Sequence, residues 1–443
     1  VNEFIKIKYQ GIDVGAVAFD VEKGLGSFEY ERSFIERGLN LAPLKMPLKQ
    51  ADSGKIFMFP NLNYDTFRGL PGMLADSLPD DFGNAVLNSW LARQGKNPAN
   101  ITPLQRLQYT GKRGMGALEY YPSNTKIKGL NSSQNVALAE LVKVAQSVLD
   151  TRHHFHAELP HNGTEDAEAM KHLLQVGMSA GGARPKAVLA FNETFTAVRS
   201  GQVEVPEGFT HYLMKFDGVS EHHQGKETFG DPMGYGAMEY VYYLMATNAG
   251  INMAPSRLLN EGERRHFLTQ RFDRVGNKKI HMQTLNAIAH VDYKKPGLYS
   301  YYELFHVVRE LQLSFKEADQ LFRRMVFNVI ARNHDDHSKN FAFLMDNEGK
   351  WRLSPAYDLA YSYKPGSKWV NSHWMTINNK RDNFVREDFY SFEDTSRRFT
   401  KKYVNELLEE IKESVSLWPK LAKENEVPIS LIEEINSNLR LNF

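Results

Sequence analysis

The stretch Asn333–Asn340, reading Asn-His-Asp-Asp-His-Ser-Lys-Asn, does more than any other to limit how this chain folds. It follows a run with apolar residues at helical spacing (Leu321, Met325, Val326, Val329, Ile330) and precedes the strand-like Phe341-Ala342-Phe343-Leu344. A turn at Asp346–Gly349 and a second strand then lead to Ser354-Pro355-Ala356-Tyr357-Asp358. The expected order is helix, acidic loop, hairpin, and one more aspartate.

Asn340 stands five positions after Asp335, which is the D-x-x-x-x-N spacing of a protein-kinase catalytic loop. With that spacing one side chain faces a substrate hydroxyl and the other faces the metal ion of a nucleotide. Asp335 is therefore the candidate that accepts or orients the acceptor's proton. Asn340 and Asp358 offer the oxygen ligands that Mg²⁺ prefers. Asp336 stands next to Asp335 as an alternative, and only the count to Asn340 favours Asp335.

Phosphoryl transfer also needs anchored phosphates, and candidates for that lie upstream. Ser179-Ala180-Gly181-Gly182-Ala183-Arg184-Pro185-Lys186 precedes a strand, and its small residues let backbone N–H groups approach an anion closely. Taken alone, a Gly-Gly pair is ordinarily a turn. Lys215 ends the apolar strand Tyr212-Leu213-Met214, from which it reaches phosphate, with Glu239 on the next helix to hold it. Taken alone, these are a strand-end lysine and a helix-face glutamate.

Some matches point elsewhere. Asp81-Phe82-Gly83 spells a kinase metal motif, but it stands upstream of Lys215, in the wrong order, and reads as turn chemistry. Gly114-Met115-Gly116 lacks a third glycine at Glu119 and reads the same way. No P-loop signature occurs. His153, His154 and His156 in a polar stretch read as a solvated loop, as do His222 and His223.

Along the chain, Phe4–Tyr9 and Val14–Phe19 alternate as a strand–turn–strand pair. Ala85–Arg93 and Asn135–Leu149 read as helices, and Pro122–Gln134 as a linker. Ala187–Phe191, Phe209–Phe216, Arg257–Leu259 and His266–Phe272 read as strands. Tyr235–Ala249 reads as a helix stopped at Gly250. Helices dominate from Tyr301 onward. This divides the chain into a small α+β unit (1–125), a sheet-containing lobe (126–273) and a mainly helical lobe (274–443).

Composition narrows the class further. With 42% hydrophobic and 24% charged residues the chain matches an ordinary globular protein. A formal net charge of +1 supplies no global field toward nucleic acid or an acidic membrane. The absence of cysteine excludes disulfides, thiolate metal sites and a cysteine nucleophile. No cationic leader or spanning apolar run is apparent, so a cytoplasmic location without membrane contact is the expectation.

These segments together resemble the HipA family of bacterial toxin kinases over nearly the whole chain. The carriers are Asp335–Phe341, Ser354–Asp358, and Gln270-Arg271-Phe272-Asp273-Arg274, where the family's hinge usually begins with Glu. Asp76–Asp80 and Arg113–Leu118 look like its small accessory domain. The resemblance implies an α+β, two-lobed protein-kinase-like fold of the PI3/4-kinase type with that accessory domain in front. It implies a Ser/Thr protein kinase using ATP and Mg²⁺. It also implies a small helix-turn-helix, HipB-like antitoxin through which operator DNA is bound, and a protein substrate for which aminoacyl-tRNA synthetases are the family precedent.

By matching position, Gly181, Gly182, Ala183, Arg184, Pro185 and Lys186 would cover phosphate and Lys215 would anchor it. Gln270, Arg271 and Phe272 would flank adenine, while His337, Ser338, Lys339, Asn340, Tyr357 and Asp358 complete the nucleotide and metal site. Ser179 matches a loop serine whose autophosphorylation switches such kinases off, by placing negative charge where ATP's phosphates sit. Gly182 and the Arg184-Pro185 pair depart from the family's Ala-Gly-Ala-Gln-Glu-Lys loop. Two other readings remain at this point: a metal-dependent phosphohydrolase ligated by His334, Asp335 and His337, and a pseudokinase bridging antitoxin and operator.

Overall fold

The computed structural model describes residues 3–123, 136–151, 174, 184–220 and 230–442. Its first part is an antiparallel four-stranded sheet in the order β3-β2-β1-β4. The strands are β1 (Glu3–Tyr9), β2 (Ile12–Asp20), β3 (Leu25–Tyr30) and β4 (Leu118–Tyr121). The two-residue turn between β1 and β2 needs left-handed backbone at Gln10 and Gly11, which a glycine adopts without strain.

A five-stranded antiparallel sheet follows, in the order β10-β11-β7-β5-β6. It contains β5 (Lys186–Asn192), β6 (Val198–Ser200), β7 (Phe209–Lys215), β10 (Ser256–Glu261) and β11 (Arg264–Gln270). Between them lies a small ribbon of β8 (Val219–Ser220) and β9 (Gly230–Asp231). β6 was not anticipated; it is three residues long and mostly polar, too short to show a period. The helix Tyr235–Asn248 ends as expected before Gly250, whose φ of 70° closes it.

That helix packs directly on β11. A Cβ at Gly236 would stand 2.0 Å from the carbonyl oxygen of Arg265, so only glycine permits the approach. Asp217 fastens the same junction, accepting from the N–H groups of Gly234 (2.9 Å), Gly236 (3.1 Å) and Arg265 (3.1 Å).

Beyond the ribbon of β12 (Arg274–Val275) and β13 (Lys278–Lys279), β14 (His281–Thr284) pairs with β15 (Ala342–Met345), which pairs with β16 (Trp351–Leu353). The expected hairpin is thus the far side of a three-stranded sheet. The rest is a helical body built on Tyr301–Glu310, Phe315–Ile330, Lys401–Ser416, Trp418–Glu424 and Ile429–Asn438.

Among the described residues, two cores organise the fold. The larger runs from Ile5, Val17 and Phe28 of the first sheet into Leu304, Phe322, Phe327 and Ile411 of the helical body. The smaller joins Phe82, Val86 and Leu91 of the helix Asp81–Arg93 to Ala187 and Leu189 of β5 and Met214 of β7. A helix from the N-terminal segment is therefore part of the core beneath the five-stranded sheet. The helix expected over 135–149 runs Leu138–Thr151 and shares that core. Most of the linker at Pro122–Gln134 and the histidine-rich stretch at 152–168 lie outside the described residues. No helix among the described residues is long and apolar enough to cross a membrane.

Candidate active site

The helix Phe315–Ile330 ends at Ala331, and Arg332 turns the chain out with a φ of 58°. Asn333 fixes the exit. Its N–H donates to the carbonyl of Asn328 (2.9 Å), and its amide to Asn328 Oδ1 (2.9 Å) and the carbonyl of Asp358 (3.3 Å). His334 N–H donates to Ser362 and Ser362 N–H to Arg332, at 3.1 and 3.0 Å. The loop and the segment after Asp358 are thereby stitched side by side, bringing residues 23 positions apart in sequence to one wall (358 − 335).

Asp335 and Asp336 separate cleanly. Asp336 is buried and accepts from Tyr301 OH (2.8 Å), His373 Nδ1 (3.0 Å) and the Trp374 N–H (2.7 Å). Every one of those bonds is internal, so Asp336 braces the loop. Asp335 keeps 38% of its side chain exposed and lies 3.7 Å from His337 Nε2. Asn340 donates to the Asp335 carbonyl at 2.7 Å. With Nδ2 committed there, Oδ1 is the atom left to meet a cation.

Lys215, at the end of β7, donates to Glu239 at 2.5 Å and also to Asp358. Burial alone would lower the lysine's pKa, but Asp358 and Glu239 outweigh it and hold the ammonium protonated. Burial would likewise raise Asp358, yet Lys215 and then Lys186 keep its carboxyl well below the usual range. Asp358 sits in left-handed backbone, with a φ of 52°, a conformation Asp adopts more readily than most residues.

Lys186 opens β5 in register with Lys215. It is buried, and desolvation lowers its pKa against the pull of Asp80. The Lys186 ammonium and Asp80 Oδ2 are 3.8 Å apart, with both side chains 2% exposed. Burial pushes Asp80 up to about 6.

Around these groups lies a cavity of about 670 Å³, walled by Asp80, Arg184, Lys186, Lys215, Asp335 and Asn340 among others. His337, Lys339 and Asp358 also line it, as do Tyr293, Trp369 and Trp374. A smaller, more enclosed cavity adjoins it, lined by Leu213, Met253, Phe267, Gln270, Arg271 and Phe272, and sharing Lys215, Asn340 and Asp358 with the first. An apolar slot against the hinge, opening onto cations and carboxylates, suits a flat base joined to a polyphosphate.

Several expected residues make structural bonds, and of these Arg271 and Tyr357 also line the smaller cavity while Ser338 and Pro185 line neither. Ser338 is buried, its hydroxyl donating to the carbonyl of Val291 at 2.8 Å, and it lines neither cavity. Tyr357 donates to the carbonyl of Lys339 at 2.6 Å and packs 5.6 Å from the Phe272 ring. Arg271 forms a buried triad with Asp273 and Arg274, at 2.6 and 2.8 Å. Pro185 accepts through its carbonyl from Phe216 N–H at 3.2 Å. Ser179, Gly181, Gly182 and Ala183 lie outside the described residues.

The set-aside motifs acquire definite places. Asp81-Phe82-Gly83 is the first turn of a helix, with Asp80 as its cap, and Asp81 lines the larger cavity. Gly116 donates its N–H to Asp273 at 2.7 Å, and the carbonyls of Gly114 and Gly116 accept from Arg274. That glycine pair docks the N-terminal unit on the segment Gln270–Arg274. Tyr293, Trp369 and Trp374 escaped the sequence reading, while Asp81 was read as turn chemistry and Asp80 only as part of the accessory-domain resemblance; an Asp ahead of a helical run, as an N-cap, was the local signal for the latter.

Oxygen donors suit Mg²⁺, and Asn340 with Asp358 supplies them. The rival set fits less well: among the described residues no group of three or more His, Asp or Glu side chains has the arrangement to hold a metal ion. His334 points into the core against His373, with ring centroids 4.2 Å apart.

Comparison with known proteins places the chain and its fold. Residues 5–121 match the HipA N-terminal domain and residues 178–418 the HipA-like C-terminal domain. A Haemophilus influenzae protein named "Putative kinase" is 24% identical over 263 residues, spanning 55% of this chain and 69% of that protein. The kinase-named Y4mE protein of Sinorhizobium fredii is 26% identical over 127 residues, 26% of this chain and 30% of that one. The HipA of a Shewanella oneidensis toxin–antitoxin complex with HipB and operator DNA superposes with a TM-score of 0.65 at 15% identity, covering 98% of this chain and 95% of that one. The fold is accordingly the two-lobed, kinase-like α+β arrangement, and the chain belongs to the HipA family.

Proposed function

We propose that this chain is an ATP- and Mg²⁺-dependent serine/threonine-protein kinase. The observation that carries the reading is the Lys215 ammonium held between Glu239 and Asp358, in a cavity whose lining includes Asp335. When bound, Mg²⁺ would neutralise charge developing on the transferred phosphoryl group. Asn340 and Asp358 would hold it. Lys215 and Lys186 anchor phosphate oxygens, while Gln270, Arg271 and Phe272 bound the base. Asp335 orients the acceptor hydroxyl and takes its proton, with His337 beside it.

The same reading makes the chain the toxin of a toxin–antitoxin pair, held by a small helix-turn-helix antitoxin that carries the operator contact. Support comes from family membership and from the Shewanella complex, whose HipA is bound with HipB and operator DNA. The substrate is a cytoplasmic protein, for which an aminoacyl-tRNA synthetase is the family's precedent. Ser179 is the proposed site of self-phosphorylation. Phosphoproteomics after brief expression of wild type and Asp335→Ala tests the reading. A phosphosite set that depends on Asp335, including Ser179, supports it, and identical sets in both strains refute it.

A further inference from the structure

Lys186 and Lys215 are neighbours across two paired strands, both buried, and both wall the cavity. Two adjacent ammonium groups repel one another unless each has a counter-charge. Lys215 has Glu239 from the helix Tyr235–Asn248. Lys186 feels Asp358 as well, but the carboxylate that acts on it most strongly, 3.8 Å away, comes from the N-terminal segment: it is Asp80.

Asp80 is built to hold that position. It caps the helix Asp81–Arg93, with Oδ1 accepting from Gly83 N–H at 2.6 Å. The helix itself is locked under β5 and β7 by Phe82, Val86 and Leu91. Oδ2 is buried, accepts no hydrogen bond from the described residues, and faces Lys186 at 3.8 Å. Helix capping needs one oxygen; the second is spent in a place where burying an unbonded carboxylate oxygen is unfavourable. Such an arrangement has a reason when the ion pair serves the cleft that both residues line.

We propose that Asp80 is a positioning residue for nucleotide binding, holding the Lys186 ammonium at the phosphate end of the cleft so that the N-terminal unit completes the site. Asp80 acts through Lys186 and not on the reacting atoms. The inference rests on the nucleotide reading given above. It adds that phosphate affinity depends on docking of a segment outside the sheet-bearing lobe.

The test uses Asp80→Asn in the full chain. Asparagine caps helices as well as aspartate does, so the cap stays while the charge goes; Asp80→Ser, another good cap, serves as a second variant. Binding of a fluorescent ATP analogue with Mg²⁺ and the KM for ATP are measured in wild type, Asp80→Asn, Lys186→Met and the double variant. The expected result is affinity weakened about ten-fold by Asp80→Asn, a smaller change in kcat, and less than two-fold further loss when it is added to Lys186→Met, the signature of coupled neighbours. Asp80→Glu restores part of the affinity. Wild-type affinity in Asp80→Asn and Asp80→Ser, or an equal loss in both lysine backgrounds, overturns the proposal. A wild-type chain that binds no nucleotide refutes the kinase reading instead, so the two failures are told apart.

Discussion

Asn340 donates its side-chain amide to the backbone carbonyl of Asp335 at 2.7 Å. The five-residue spacing is therefore a closed loop, in which the candidate metal ligand also sets the backbone of the candidate base. Asn340→Asp keeps an oxygen ligand but loses the donor. It should lower kcat about 10²-fold, the scale of a sub-ångström to ångström misplacement of catalytic groups. Steady-state phosphotransfer kinetics over a range of Mg²⁺ concentrations check this, because excess Mg²⁺ should not restore the rate.

The adjacent aspartates should part company on mutation. Asp336→Ala strands three buried donors, from Tyr301, His373 and Trp374, and should lower stability by about 3 kcal/mol. Asp335→Ala, at a partly exposed position, should change stability by less than ~0.5 kcal/mol while removing transfer. Urea unfolding midpoints measured beside activity separate the two effects.

Much of this site was legible because its parts are local. The loop spacing, the lysine at a strand end and the aspartate after a hairpin each follow from short-range pattern, and the fold brings them together. Asp336 was ambiguous, since nothing in Asp-Asp-His tells which carboxylate turns inward; the choice is made by Tyr301 and Trp374, distant in sequence. Asp80 went without a role for the same reason. Its partner, Lys186, lies 106 residues downstream (186 − 80), and only the packing of Phe82 and Leu91 under β5 makes them meet. β14 was missed because its pairing with β15 is set by tertiary contact, not by alternation within its four residues.

The buried Arg271–Asp273–Arg274 triad carries a pH prediction. Burial alone would raise the Asp273 carboxyl, but Arg271 and Arg274 hold it well below the ordinary range, aided by the Gly116 N–H. A carboxyl depressed on folding adds stability that is present above its unfolded pKa near 4 and is lost as pH falls below that value. Asp273→Asn, which breaks this buried pair, should cost roughly 3–5 kcal/mol near neutrality. The gap between wild type and variant should narrow below about pH 4. Thermal melts from pH 3 to 7 measure it.

Ligand linkage gives an independent check on the nucleotide. ATP with Mg²⁺ at a hundred-fold excess over its Kd should stabilise the fold by about 2.7 kcal/mol. Chelating the metal should remove much of that shift. Lys215→Met should remove it too, while also lowering the ligand-free melting point, because Glu239 and Asp358 lose their shared cation. Differential scanning calorimetry with and without EDTA reads both effects.

The central claim is that Asp335 serves phosphoryl transfer from ATP to a protein hydroxyl. Incubating the full chain with [γ-³²P]ATP and Mg²⁺, and comparing wild type with Asp335→Ala, tests it most directly. The account predicts labelled phosphoserine or phosphothreonine with wild type, and labelling reduced at least 10²-fold in the variant although it still binds ATP. Equal labelling by the two proteins would contradict it.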